Sequence, residues 1–296
     1  MKGDSRFKPN LESLLGHLLR LSCERNFETR PEGLKEAEAY IHREFLSYGL
    51  EVFQDPFPFA GQIFSTLIAR GACDPTAPRL ILGAHFDAVP GTPGADDNAS
   101  GVACLLEAAR IYTSLRKNLS RVARTAPTAV EFVAFNCEEY GMLGSQAYAQ
   151  KLKQQKARVL GMLSLEMVGF SSKVRGSQKM PLFLKPFYPD VGDFIGLVAN
   201  TKSRAFLKKI KGIFQSVEGL PVESLILPAN GWVFPDARLS DHSPFWDEGF
   251  EALLVTDTSF YRNPHYHSSG DRVETLDLSF LAKVTEAVAR TACQLG

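Results

Sequence analysis

The chain has 296 residues, 45% apolar and 22% charged, with 33 Lys and Arg against 33 Asp and Glu. That balance fits a folded globular protein of one or two domains and excludes bulk disorder. A formal charge of zero removes the general electrostatic case for a nucleic acid or an anionic membrane as partner, although a local patch can still attract charged ligands.

Near the N-terminus, Leu14, Leu15, Leu18, Leu19 and Leu21 cluster around His17 and Arg20. Arg6 and Lys8 precede them as a signal peptide's basic region would. Asp4 and Glu12 dilute that charge, and no small-residue cleavage site follows. The segment predicts an amphipathic helix rather than an export signal, which makes the cytoplasm the expected compartment. No run reaches the roughly 18 apolar residues of a membrane span. Five cysteines stand far apart without CxxC spacing, which argues against a disulfide framework or a structural zinc knuckle.

Further along, Leu34, Ala37, Ile41 and Phe45 mark one helix face over 34–47. Strands are predicted at Phe64–Ala69, Leu80–Phe86, Val130–Asn136, Val159–Val168, Phe194–Ala199 and Ala252–Thr256. Helices are predicted at Gly101–Leu115, Gly144–Gln155, 203–215 and 278–293. Strands alternating with helices imply an α/β fold, a mostly parallel, mixed central sheet with helices on both faces. Residues of about 170–235 read as a rim or insertion within a single domain spanning 1–296, because candidate site residues fall on both sides of them. Lys208, Lys209 and Lys211 read as a solvated helix face. Trp232, Phe234 and Trp246 suit either an apolar pocket or core packing.

The chemistry gathers at strand ends, where ligand crevices of open α/β sheets lie. In RLILGAHFDAVPGTPGADDNASG, His85 and Asp87 sit two residues apart on an extended chain, so both side chains point to one side. That suits a metal-binding imidazole oriented by a carboxylate. Asp96-Asp97-Asn98 follow, then small residues opening a helix. VEFVAFNCEEYGMLGS presents Glu138-Glu139 at the end of a buried strand, and VLGMLSLEMVGF places Glu166 inside an apolar run. Such carboxylates are costly to bury without a cation. Ser240-Asp241-His242 precede a short helix, and a later loop carries His265, Tyr266 and His267, of which one histidine is a candidate ligand. Two histidines and three or four carboxylates without cysteine suit Zn²⁺ in an open catalytic site, or a carboxylate-bridged pair of metals.

In order and spacing these segments, from about residue 80 to 277, resemble the zinc aminopeptidases of peptidase family M28, which include bacterial leucine aminopeptidases. The resemblance implies two zinc ions per chain, with Asp97 bridging them. His85 and Glu166 would complete one site, Glu139 and His267 the other. It implies Glu138 as general base toward a metal-activated water. Tyr266, with Tyr261 as an alternative, would stabilise the oxyanion. Asp87 would orient His85, while Asp241 and His242 would stand behind the ligands. It also implies a cis peptide between Asp97 and Asn98. The family's usual LNxDMIG has Asp where this chain's LSLEMVG carries Glu166, a carboxylate one methylene longer. The substrate would be a small peptide or aminoacyl compound with a free α-amine. Two alternatives stay open on the same scaffold: a single-zinc glutaminyl-peptide cyclase, and a hydrolase of non-peptide amides.

Overall fold

A computed structural model describes residues 4–74, 76–119 and 128–296, with side chains omitted at 117–119. Helix α1 (Leu11–Leu21) starts where Asn10 Oδ1 accepts the backbone N–H groups of Glu12 and Ser13, at 2.9 and 3.1 Å. Its leucines divide as an amphipathic helix requires: Leu14, Leu18 and Leu21 are buried, while Leu15 and Leu19 face solvent. Helix α2 (Pro31–Ser47) opens with proline in its first turn, where the missing N–H costs nothing. It buries the predicted Leu34, Ala37, Ile41 and Phe45.

Strands β1 (Glu51–Phe59) and β2 (Gln62–Arg70) form an antiparallel hairpin. Its two-residue turn, Ala60-Gly61, has both φ angles positive, as the right-handed strand twist favours. Strand β3 (Arg79–His85) precedes helix α3 (Gly101–Leu119), and β4 (Ala129–Phe135) precedes α4 (Leu143–Gln154). The chain continues through β5 (Val159–Glu166), β6 (Ile195–Asn200), α5 (Arg204–Gln215) and β7 (Val222–Leu227). It ends with α6 (His242–Asp247), β8 (Ala252–Thr256) and α7 (Leu278–Leu295). Asp277 caps α7 by accepting Phe280 N–H at 3.0 Å.

The eight strands order as β1-β2-β4-β3-β5-β8-β6-β7. Four of the seven pairings are parallel and three antiparallel, so the sheet is the mixed, mostly parallel one expected. Helices cover both faces: α1, α2, α3, α5 and α7 lie over the larger core, α4 and α6 over the smaller. The segment 170–235 contributes β6, α5 and β7 to this same architecture. The sequence reading missed β1 and β7. In β1, Pro56 and Pro58 break the strand signature, which an edge strand tolerates. In β7, Glu223 and Ser224 interrupt the apolar run.

The parallel block β4-β3-β5-β8 aligns four carboxyl ends at one rim, and its two inner strands, β3 and β5, end at His85 and Glu166. Beyond α6, the β6–β7 end of the face carrying α4 and α6 is roofed by loops around 180–188 and 234–239 instead of a helix. A cavity lies between loops and sheet.

Candidate metal centre and its cavity

His85 is the last residue of β3 and Glu166 the last of β5; Glu138 and Glu139 follow β4, and His267 lies in the loop after β8. Asp97 sits in the kinked turn Ala95–Ser100, where its backbone leaves helical geometry (φ −103°, ψ 91°) and the Asp97–Asn98 peptide is cis, as expected. Among the described residues three trios can present ligand atoms within 4.8 Å of one another: His85, Glu138 and Glu139, and the two that share a carboxylate, His85, Asp97 and Glu166, and Asp97, Glu139 and His267. Asp97 is the shared carboxylate. Its Oδ1 lies 3.4 Å from His85 Nε2 and its Oδ2 lies 3.1 Å from His267 Nε2. His85 Nε2 is 3.3 Å from Glu166 Oε2, and His267 Nε2 is 3.4 Å from Glu139 Oε2.

The turn bearing Asp97 is fastened from three directions. Asp271 accepts the N–H groups of Asp96 and Asp97 at 2.8 and 3.0 Å. Asp96 accepts Gly169 N–H at 3.0 Å and the Asn263 amide at 2.7 Å. Asn98 straddles Glu166: its amide donates to Leu165 O at 2.8 Å, and its carbonyl accepts Met167 N–H at 3.1 Å. Gly101 lets the start of α3 come this close to β5, for a Cβ there would stand 2.5 Å from Leu165 O.

Asp87 does more than the sequence indicated. It lies 3.6 Å from His85 Nδ1, but its two oxygens accept the backbone N–H groups of Glu138 and Glu139 at 3.0 and 3.1 Å. Cys137, at a φ of 58°, turns the chain so that the paired glutamates leave the strand. Glu138 Oε2 comes within 3.9 Å of His85 Nε2 and lines the cavity. Ser240, quoted in the sequence without a role, donates to Glu166 Oε2 at 2.8 Å. Its only signal was its place beside Asp241.

Asp241 is fully buried near Glu138, Glu166 and His85, beside Ser145, and neither oxygen meets a donor in good hydrogen-bond geometry among the described residues. His242 stands apart from the cluster. It donates from Nε2 to Ala237 O at 2.8 Å and meets Trp246 edge-on at 4.4 Å. His265 joins none of the trios. Tyr266 stacks on the His267 ring at 3.7 Å and lines the cavity, its hydroxyl without a hydrogen bond among the described residues. Tyr261 instead donates its hydroxyl to Asp236 at 2.5 Å. Of the three aromatics singled out, Phe234 lines the cavity, Trp246 is core and Trp232 is exposed.

The electrostatics of this cluster ask for a cation. Burial drives Glu138 and Glu166 upward and raises Glu139 and Asp241 to about 7. Burial alone would depress His85, but the charges of Glu166 and Glu138 outweigh it and the net shift is upward. Burial likewise opposes a proton on His267, yet contacts with Asp97 and Glu139 raise it to about 10. Among the described residues, Glu139 Oε1 is buried with no hydrogen-bond partner. Imidazole and carboxylate donors crowded in this way, one oxygen unspent, fit divalent zinc chemically.

Beside the cluster lies a cavity of about 390 Å³, bordered by Glu138, Glu139, Glu166 and Tyr266 at one end and by Leu184, Leu225 and Phe234 away from it.

Comparison with known proteins agrees with this picture. A model of the family described as "Peptidase family M28" matches residues 67–292. The chain is 34% identical over 272 residues to the Escherichia coli K12 protein YfbL, covering 87% of this chain and 79% of that one. It is 29% identical over 247 residues to leucine aminopeptidase 1 of Ajellomyces capsulatus, covering 80% of this chain. The match spans only 57% of that aminopeptidase. Among solved structures, the Legionella pneumophila LapA aminopeptidase superposes with a TM-score of 0.74 at 21% identity, covering 97% of this chain and 72% of LapA. The Porphyromonas gingivalis glutaminyl cyclase superposes at 0.69 and 19% identity, covering 95% and 97%. At such identities these two likenesses show the fold.

Proposed function

The chain belongs to peptidase family M28, and on that premise we propose that it is a zinc-dependent aminopeptidase of one domain, removing N-terminal residues from small peptides. The observation that carries this reading is Asp97, whose two carboxylate oxygens face two separate imidazole-and-carboxylate sets. His85, Asp97 and Glu166 would hold one zinc ion, and Asp97, Glu139 and His267 a second. Zinc there supplies Lewis-acid polarisation of the scissile carbonyl and lowers the pKa of water toward neutrality.

This chain's own residues do the rest. Glu138 borders both the cluster and the cavity, so its carboxylate can take a proton from the attacking water and pass it to the leaving amine. Asp87 holds the backbone of that glutamate. The uncommitted Tyr266 hydroxyl can donate to the oxygen that develops negative charge. Carboxylate oxygens at the cavity end can accept from a free α-amine, which favours exopeptidase action. Ser240 and Asn98 keep Glu166 in place. Five free thiols support a cytoplasmic compartment, and no described helix is long and apolar enough to cross a membrane.

The test is hydrolysis of aminoacyl 4-nitroanilides before and after chelation. Chelation should abolish turnover and zinc should restore it. Glu138→Gln should bind zinc as the parent chain does while kcat falls by roughly 10²–10⁴. Full turnover in that variant would remove the assigned base. Cyclisation of glutaminyl peptides without anilide hydrolysis would instead establish the cyclase alternative.

A further inference from the structure

The sheet register draws a line from the metal cluster to a second acidic group. Glu166 pairs with Thr256, Thr256 with Gly196, and Gly196 with Glu223. Residues in register across a sheet share a face, and three strand spacings place Glu223 about 14 Å from Glu166. All four border the same cavity. Gly196 adds no side chain, so the floor between the two glutamates stays low. In the next row on that face, Leu254, Val198 and Leu225 border the cavity with apolar side chains. Met180, Leu184 and Phe234 add further apolar lining.

The cavity is therefore a largely apolar trench with carboxylates at both ends, and the other carboxylate on its lining, Asp236, already accepts the Tyr261 hydroxyl. The carboxylates at one end belong to the metal cluster. Glu223 at the other is half-buried and has no hydrogen bond or ion pair among the described residues; its charge bears on the Tyr188 hydroxyl. Lys211, on α5 against the opposite face, gives its ammonium to Ser224 Oγ at 2.9 Å and leaves Glu223 uncompensated.

Resting on the aminopeptidase reading, we propose that this trench receives the side chain of the substrate's N-terminal residue and that Glu223 selects a cation at its tip, so that peptides beginning with Arg or Lys are the favoured substrates. A leucine side chain is too short to cross the trench. An arginine side chain extends about 7 Å from Cα to its guanidinium, given bonds of about 1.5 Å. With the reacting carbonyl on one side and the reach of Glu223 on the other, that spans the gap. The apolar floor suits the methylene stem. Discrimination comes from the contact not made: a short apolar side chain stops before Glu223 and forgoes the ion pair, and one long enough to reach it takes water from an unpaired carboxylate.

The experiment compares kcat/KM for the 4-nitroanilides of Arg, Lys, Leu and Phe, using the zinc-loaded chain and its Glu223→Gln and Glu223→Leu variants. Calorimetric titration with L-argininamide and L-leucinamide gives a second readout, independent of turnover. The parent chain should prefer Arg and Lys over Leu by at least tenfold and bind argininamide more tightly. Glu223→Gln should lower the Arg-to-Leu ratio at least tenfold, and Glu223→Leu should invert it. A parent preference for Leu, or an unchanged ratio in Glu223→Gln, overturns the proposal and leaves the aminopeptidase reading standing. If no anilide is cleaved, the aminopeptidase reading falls and the proposal falls with it.

Discussion

Asp87 serves two partners through one carboxylate. Its oxygens hold the N–H groups of Glu138 and Glu139, and one of them also approaches His85. Asp87→Asn turns one acceptor into a donor that faces a backbone N–H, so the paired glutamates lose their anchor. Such supporting residues typically matter 10–100-fold in metal affinity. Competition of the variant against a chromophoric zinc chelator should show a loss of about that size; unchanged affinity would make the contact incidental. His85, Glu138, Glu139 and Glu166 stood out in sequence as an imidazole and carboxylates at the ends of apolar strands, whereas the bridging place of Asp97 and the choice of His267 over His265 came from the resemblance to family M28. The supports of these residues did not stand out. Asp271, Asn98 and Ser240 act by hydrogen bonds to groups 67–175 positions away, and nothing local marks them. His242 shows the converse. Adjacency to Asp241 suggested a place behind the ligands, whereas its ring braces Ala237 and Trp246.

The loop between β3 and α3 is tied to the segment after α1 by Glu24, Arg25 and Asn26, and Arg25 makes most of the contacts. Arg25 is fully buried and donates to the carbonyl oxygens of Phe86, Leu21, Cys23, Pro93 and Gly94. Burial depresses its guanidinium, while Cys23, Asp97, Asp87 and Asp271 favour the charged form. Leaving buried carbonyl acceptors without their donor commonly costs about 1–3 kcal/mol. Arg25→Met, which keeps much of the volume, should lose stability of that order in urea denaturation, and its metal affinity should fall as the 86–97 loop loosens. A variant as stable as the parent would show the carbonyls to be satisfied without it. Sequence could not single out Arg25, because burial of a charge is decided by where the chain folds back. The same limit hid β1 and β7, edge strands whose prolines and polar residues are tolerated because one side needs no partner. Central strands, buried on both faces, announced themselves as continuous apolar runs.

Across the whole molecule, acid stability separates groups buried neutral from groups buried charged. Burial lowers His242 to about 3 and also lowers His17, so the fold keeps both rings neutral where an unfolded chain protonates them near 6.5. The His242 contribution is complete above that value. It is lost as pH falls through the window from about 6.5 to about 3, because the unfolded state then binds a proton the folded state refuses, at up to about 1.4 kcal/mol per pH unit. Asp241 works the other way. Raised to about 7 by burial, it takes up a proton in the folded chain before it does in the unfolded one, which adds stability on acidification. The total profile of the parent chain therefore blends opposite slopes, and the informative quantity is a difference between two chains that share everything except one ring. Gln at 242 preserves an amide donor toward Ala237 O and does not titrate. Between pH 6 and pH 4, chemical denaturation should find the parent losing roughly 2–3 kcal/mol relative to His242→Gln, with the two curves parallel above pH 7. Curves parallel throughout would mean that the ring accepts its proton in the folded state, and with it that α6 opens to water long before the sheet beneath it does.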